Sequence, residues 1–159
     1  MTSPAPPAPR SAAATTAALQ SALAAEHAAV YGYGIVGANL TGSMQAAAMT
    51  DWVAHQVARD TLEAMLRSRG SEPVPAAAAY RLPVTVRTPS QAVSLAVLLE
   101  DRVATTYLSL VALSGVSIRQ FGALQVRAAA LRAAAWRGST VPFPGLPTSA
   151  LAAPRPRPS

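Results

Sequence analysis

The clearest helical pattern in this chain lies in residues 19–40, which read LQSALAAEHAAVYGYGIVGANL. The residues that define it recur at alternating spacings of four and three: Leu19, Leu23, Glu26, Val30, Tyr33, Gly37 and Leu40. This periodicity is typical of the buried face of a helix in a bundle. A glutamate occupies the third position, and a carboxylate is costly to bury without a partner. The stretch therefore predicts a helical bundle with a polar site inside it.

Three more helices are predicted beyond this one. The four together span about residues 15–39, 43–69 (or 50–69), 88–113 and 117–137. Gly70 and Gly138 follow the second and fourth as C-caps. The third opens with a capping box, in which Thr88 is the N-cap and Gln91 the third helical residue. No pattern typical of a β-hairpin is present.

Proline marks the limits of the domain. Residues 1–11 form a Pro-rich tail that we expect to be disordered, and residues 139–159 form a second Pro-rich end. Within the second, VPFPGLP at 141–147 could lie as an extended strap on the domain through Phe143 and Leu146. Residues 12–138 are then one four-helix bundle.

Link lengths predict the topology. The links between helices 1 and 2 and between 3 and 4 are short, whereas residues 71–87 form a long, Pro-containing connection between helices 2 and 3. Short links produce antiparallel neighbours, and a long link permits a crossover. We therefore predict an all-α, four-helix bundle with one long crossover between helices 2 and 3. Glu26 and Tyr33 repeat as Glu100 and Tyr107 at an offset of 74 residues, so the two hairpins should be related by a pseudo-twofold axis.

Several polar residues are predicted to meet at one level of the bundle. Counting from the first turn at the helical rise places Glu26 level with Gln56, within a turn of His55 and Arg59. The same count from the second turn places Glu100 near Leu131, with Arg127 and Arg132 each within about a turn. A cation must neutralise the two carboxylates, and the candidates are Arg59 with Arg127, or a metal ion.

The neighbours of this level have structural interpretations. We expect Tyr33 and Tyr107 to be core residues whose hydroxyls bond the buried carboxylates, and His55 to be hydrogen-bonded to Glu26. His27 faces about 100° away from Glu26 and should lie at an edge. The glycines Gly32, Gly34 and Gly37 indicate close helix approach or room for Trp52.

Composition excludes several classes of function. The chain has no cysteine, so disulfides, thiolate metal sites and cysteine nucleophiles are ruled out. Its net charge is +6, but the arginines are scattered and lack interleaved aromatics, which argues against nucleic acid as a partner. Neither a membrane span nor a targeting segment is indicated, and we expect a cytoplasmic protein.

The residues also resemble a known family. The segments that carry the resemblance are AEHAAVYGYG (25–34), HQVARDTLEAML (55–66), AAAAYRLPV (76–84), LEDRVATTY (99–107), AAAWRG (133–138) and VPFPGLP (141–147). Over about residues 15–147 the chain resembles the ferritin-like superfamily, and within it a single-domain bacterial family, domain of unknown function 4439. Metal-binding members use a Glu from each of two helices and a Glu-x-x-His from each of the other two.

This resemblance implies a reduced ligand set. Glu26 and Glu100 match the lone glutamates of helices 1 and 3, and His55 matches the histidine of helix 2. Trp52 stands where that helix would carry its glutamate, and helix 4 has no Glu, Asp or His. Half of the ligands are therefore missing, which argues against di-iron chemistry.

Two hypotheses remain open. In the first, the chain is a non-catalytic helical module without cofactor, with a degenerate metal site filled by Glu–Arg pairs, and it forms a homodimer or binds an unknown partner. In the second, Glu26, His55 and Glu100 hold a single Fe, Mn or Zn ion. Anion binding by the Arg-rich C-terminal half is a weaker third hypothesis.

Overall fold

The chain folds into four α-helices, and no strand occurs in the part described. The structure, a computed structural model, describes residues 9–113, 115–141 and 144. The helices are α1 (Pro9–Ala38), α2 (Gly42–Ser68), α3 (Pro89–Leu113) and α4 (Val116–Arg137). The predicted all-α four-helix bundle is therefore confirmed. The strap residues Phe143 and Leu146 lie outside the described residues.

The helix ends follow local sequence signals. α1 begins at Pro9, earlier than predicted, at a residue whose fixed φ suits a first helical position. Gly70 and Gly138 have φ values of 70° and 74°, so each supplies the left-handed residue that ends a helix. At the start of α3, the Gln91 amide donates to the Thr88 hydroxyl. In a capping box the Gln91 side chain would accept from the backbone amide of Thr88. Here it accepts from the backbone amide of Arg87, one residue earlier.

The helices pack in a chain of neighbours. α1 packs against α2 and α3, and α3 packs against α4, whereas the side between α2 and α4 is loosely packed within the described residues. Residues 69–88 connect α2 to α3, where the sequence predicts the crossover. Among the described residues, no helix is both long and apolar enough to cross a membrane. The cytoplasmic location stays a prediction.

Two apolar clusters lie on either side of a layer of buried polar side chains, the polar layer, which is centred on Glu26, His55 and Glu100. The first joins the start of α1 to the ends of α2 and α3 and includes Leu19, Leu23, Leu62, Leu66 and Leu110. The second joins the end of α1 to the starts of α2 and α3 and includes Val36, Leu40, Ala48, Leu95 and Leu99. Each fully buried leucine contributes about 1.5–3 kcal/mol, so the clusters hold the layer in place.

Two glycines allow close helix contact. A Cβ on Gly32 of α1 would lie 2.6 Å from Cδ1 of Leu99 on α3, so any larger residue there would force the buried Leu99 side chain to shift. A Cβ on Gly122 of α4 would lie 3.0 Å from Cβ of Leu110. Gly34 has open space around it. Close approach is thus confirmed for Gly32 but not for Gly34.

Candidate functional site

Three fully buried residues form the centre of the polar layer. His55 on α2 lies between Glu26 on α1 and Glu100 on α3, and all three side chains are excluded from solvent. Nδ1 of His55 is 2.7 Å from Oε2 of Glu26. Nε2 is 3.0 Å from Oε1 of Glu100. The imidazole therefore bridges two carboxylates, and the expectation that His55 bonds Glu26 is confirmed.

The tyrosines contact these carboxylates in a crossed arrangement. The Tyr33 hydroxyl on α1 donates to Oε1 of Glu100 on α3 at 2.6 Å. The Tyr107 hydroxyl on α3 donates to Oε1 of Glu26 on α1 at 2.7 Å. Such reciprocal contacts require α1 and α3 to run in opposite directions. The predicted tyrosine–carboxylate bonds are confirmed, and each one links the two hairpins.

The arginine of the layer is Arg132 on α4. Its Nε donates to Oε1 of Glu100 at 2.8 Å, and its side chain is 17% exposed. The expectation that Arg59 and Arg127 neutralise the carboxylates is wrong. Arg59 pairs with Asp60 near the surface, and Arg127 is exposed on the outer side of α4.

The structure adds two residues that sequence reasoning missed. Asp51 on α2 accepts a hydrogen bond from the indole of Trp136 on α4 at 2.8 Å. The hydroxyl of Tyr33 lies 3.4 Å from the same Asp51 oxygen. This half-buried pair joins α2 to α4 beside the central residues. A buried indole N–H needs a hydrogen-bond acceptor. This requirement is the one property of Trp136 in the sequence that could have indicated a polar contact.

The electrostatics favour a protonated imidazole. Burial by itself would lower the pKa of His55, but its hydrogen bonds to Glu100 and Glu26 and the charges of these carboxylates raise that pKa to about 9. His55 is therefore a cation at neutral pH, with both nitrogens donating. Burial would likewise raise the pKa of Glu100, but the hydrogen bond and charge of His55, together with Arg132, lower it.

The remaining groups keep their usual charge states. Burial, followed by the nearby charge of Glu100, raises the pKa of Tyr33 well above its ordinary value, and Glu26 acts in the same way on Tyr107. Against the effect of burial, the charge of Glu100 raises the pKa of Arg132. Glu26 and Glu100 thus face the cations His55 and Arg132. Burial also raises the pKa of the third carboxylate, Asp51, against the hydrogen bond that it accepts from Trp136.

This arrangement does not fit a metal ion held by Glu26, His55 and Glu100 together. An imidazole binds a metal through a lone pair on one nitrogen, and here the two carboxylates lie at opposite nitrogens of the ring. In the part of the chain that the structure describes, no group of three or more His, Cys, Asp or Glu side chains is arranged to hold a metal ion. Binding would require His55 to release one carboxylate and lose a proton.

One atom of the layer is left without a partner. Oε2 of Glu100 is buried and has no hydrogen-bond partner among the described residues, while Oε1 of the same carboxylate accepts three hydrogen bonds. A buried carboxylate oxygen ordinarily has a donor. This atom is therefore where the layer could accept one more donor or cation.

The other residues singled out from the sequence lie outside the layer. His27 is buried beneath the connection, where its Nε2 is 3.1 Å from the carbonyl oxygen of Val74. Trp52 donates from its indole to the carbonyl of Val30 on α1 at 3.1 Å. Both contacts are structural, and within the described residues neither side chain is hydrogen-bonded to Glu26, His55 or Glu100.

Comparison with known proteins identifies the family. Residues 18–148 match the model of the family described as Domain of unknown function (DUF4439). The chain belongs to this family. The match includes every residue of the polar layer, from Glu26 to Trp136, so the layer is part of the DUF4439 domain itself.

A solved structure shares this fold. The crystal structure of a conserved hypothetical protein, rv2844, from Mycobacterium tuberculosis matches with a TM-score of 0.77 and 35% sequence identity. The match covers 79% of this chain and 96% of that one. No curated protein matches. This chain therefore shares its fold with that protein over most of its length.

Proposed function

We propose that this chain is a non-catalytic helical module in which a layer of charged residues replaces a metal centre. The single observation that carries the proposal is the position of His55. Each of its nitrogens lies within hydrogen-bond distance of a carboxylate oxygen, so the protonated ring donates to both and has no lone pair for a metal or a substrate proton. The central side chains are also fully buried, so they are closed to a substrate in the solvent.

The pattern of the layer supports descent from a metal-binding bundle. We infer that the bundle is ferritin-like and that its ancestral site is degenerate. Glu26, His55 and Glu100 stand where that superfamily places ligands, and the guanidinium of Arg132 occupies one side of Glu100. A positive side chain at that position neutralises the carboxylate, as a bound cation would.

Metal analysis tests the proposal. The full chain is purified from cultures supplied with Fe, Mn and Zn, and its metal content is measured together with that of Glu26→Ala and Glu100→Ala. Glu63→Gln is the matched control, because Glu63 is an acidic residue paired with Arg67 near the surface. We expect much less than one ion per chain in all four proteins. One ion per chain that both alanine variants lose and the control keeps would overturn the proposal.

A second candidate function is the binding of a single metal ion by Glu26, His55 and Glu100. The observation that favours it is Oε2 of Glu100, which is buried and has no donor among the described residues. A cation beside this oxygen would satisfy it. His55 would then have to be neutral, so metal binding would release a proton.

Proton release distinguishes the two candidates. Chelator-treated protein is titrated with Zn²⁺ in a weakly buffered solution that contains a pH indicator. Under the second candidate each ion bound releases about one proton from His55, and Glu100→Gln abolishes the release. We expect no saturable release, as the first candidate requires.

A further inference from the structure

The outer surfaces of α2 and α4 are apolar. Val57 on α2 is 60% exposed, and Leu124 and Leu131 on α4 are 62% and 59% exposed. Met49 and Val53 continue the exposed apolar surface of α2. These two helices are neighbours, since they are joined by the hydrogen bond from Trp136 to Asp51. Exposed apolar side chains on two adjacent helices are typical of a place where a partner docks.

The two helices run in opposite directions in a fixed register. The end of α2 and the start of α4 belong to one apolar cluster, through Leu66 and Ile118. Asp51, near the start of α2, contacts Trp136, near the end of α4. Counting from that hydrogen bond, Asp60 is nine residues after Asp51 and Arg127 is nine residues before Trp136. Because both helices rise equally per residue, Asp60 and Arg127 lie at the same height.

The charges on the two helices are complementary. α4 carries no acidic residue, and its exposed arginines are Arg119 and Arg127, since Arg132 and Arg137 pair with Glu100 and Asp101 of α3. α2 carries Asp60, whose side chain is 64% exposed and therefore open to a second partner besides Arg59. Two α4 helices packed on each other would bring arginines together without an acid. Packing of α2 on α4 avoids that repulsion.

We propose that the chain forms a homodimer in which α2 of each copy packs on α4 of the other. A twofold axis parallel to the helices produces this packing. Rotation about that axis does not change the position of a residue along it, so each residue and its copy in the partner lie at the same height along the helices. Asp60 then lies beside the partner's Arg127 at the rim of the interface. The same register places Val57 level with residue 130 of the partner, and Leu131 is the next residue. The apolar side chains of Val57 and the partner's Leu131 therefore meet at the centre of the interface.

The size of this face suits a dimer of moderate affinity. About twenty residues of each helix span roughly 30 Å, and two adjacent helices about 10 Å wide present on the order of 600 Å² per copy. Standard interfaces bury roughly 800 Å² per partner. The other twofold arrangement, with its axis across the helices, would place α2 on α2 and Asp60 beside its own copy.

Sedimentation of the full chain over a range of concentrations tests the proposal. We expect a monomer–dimer equilibrium. Leu131→Gln should raise the dimer dissociation constant by at least about tenfold, because the substituted residue occurs twice in the interface. The control Val84→Gln, at an exposed valine of the connection, should leave the constant unchanged. A chain that stays monomeric at all concentrations, or a dimer that Leu131→Gln does not weaken, would overturn the proposal.

Charge exchange tests the pairing of the helices. Asp60→Arg and Arg127→Asp should each weaken the dimer by about tenfold, because each places two like-charged pairs at the rim. The double variant should restore the affinity. A dimer that the double variant does not restore would overturn the packing of α2 on α4. None of these outcomes depends on the metal content of the buried layer.

Discussion

The protonation of His55 should make the stability of the bundle fall as the pH rises. The pKa of His55 is raised from the ordinary 6.5 to about 9 in the folded chain, because Glu26 and Glu100 stabilise the imidazolium despite its burial. A raised folded pKa means that the folded state holds the proton more tightly than the unfolded state. The resulting stability is fully present below pH 6.5 and is lost as the pH rises through 9.

The magnitude follows from the size of the shift. A pKa change of one unit corresponds to about 1.4 kcal/mol, so the shift of His55 contributes about 3 kcal/mol to the free energy of unfolding. For a chain of this length, a loss of that size lowers the melting temperature by about 6–12 °C. The loss should occur between pH 6 and 9.5, below the range in which unfolded tyrosines ionise.

Denaturant unfolding followed by circular dichroism measures this loss. The free energy of unfolding is determined between pH 6 and 9.5 for the native chain and for His55→Gln, which cannot be protonated. The variant should be less stable at pH 6 and should lose much less stability toward pH 9.5. His27→Gln is the control, since His27 lies outside the layer, and it should retain the full pH dependence. A native chain whose stability is flat over this range, or an equal loss in His55→Gln, would refute the reasoning.

Two further predictions concern the packing around the layer. Glu100→Leu should cost about 3–5 kcal/mol of stability, because it leaves His55 and Arg132 without their shared acceptor. The double variant Glu100→Leu with Arg132→Leu should be more stable than Glu100→Leu alone, and strictly additive losses in a thermal double-mutant cycle would show that the two residues do not interact. Gly32→Ala should destabilise the bundle by about 1–3 kcal/mol, since its methyl group would overlap Leu99. Gly34→Ala, in open space on the same helix, should stabilise it by up to about 1 kcal/mol, and equal effects of the two alanines on the melting temperature would contradict this explanation.

The level of the polar layer could be predicted because it depends only on helical rise and loop position. Glu26, His55 and Glu100 each interrupt an apolar pattern, and the short turns between helices fix their heights. The apolar residues of α3 do not by themselves show which of them are buried. Ala96, Leu99 and Val103 are buried, whereas Val93 and Val97 are only partly buried.

The identity of the arginine could not be predicted because α4 is rich in alanine. Residues 128–130 and 133–135 are all alanine, so the helix has no pattern of apolar and polar residues to show which side faces inward. Arg132 is one residue and Arg127 four residues from Leu131, so both lie within about a turn of the predicted height. Five residues turn a helix by about 140° beyond one full revolution. That rotation separates the exposed guanidinium from the buried one.

The contact between Asp51 and Trp136 also had no sequence signal strong enough to predict it. The two residues lie 85 positions apart, on helices that do not follow each other along the chain. The position of Trp136 along the bundle places it level with the start of α2. Because α2 and α4 pack loosely, that position does not show which side chain of α2 the indole contacts.

The crossed tyrosines make each helical hairpin incomplete on its own. The first hairpin supplies its own cation, His55, to Glu26, and the second supplies Arg132 to Glu100. Neither hairpin supplies the hydroxyl that its carboxylate accepts, because Tyr107 and Tyr33 donate across to the opposite half. Two separate copies of a hairpin with the same Glu and Tyr could make the same contacts, in which the tyrosine of each copy donates to the glutamate of the other. The crossed hydroxyls therefore hold the two hairpins together as contacts across a dimer interface would.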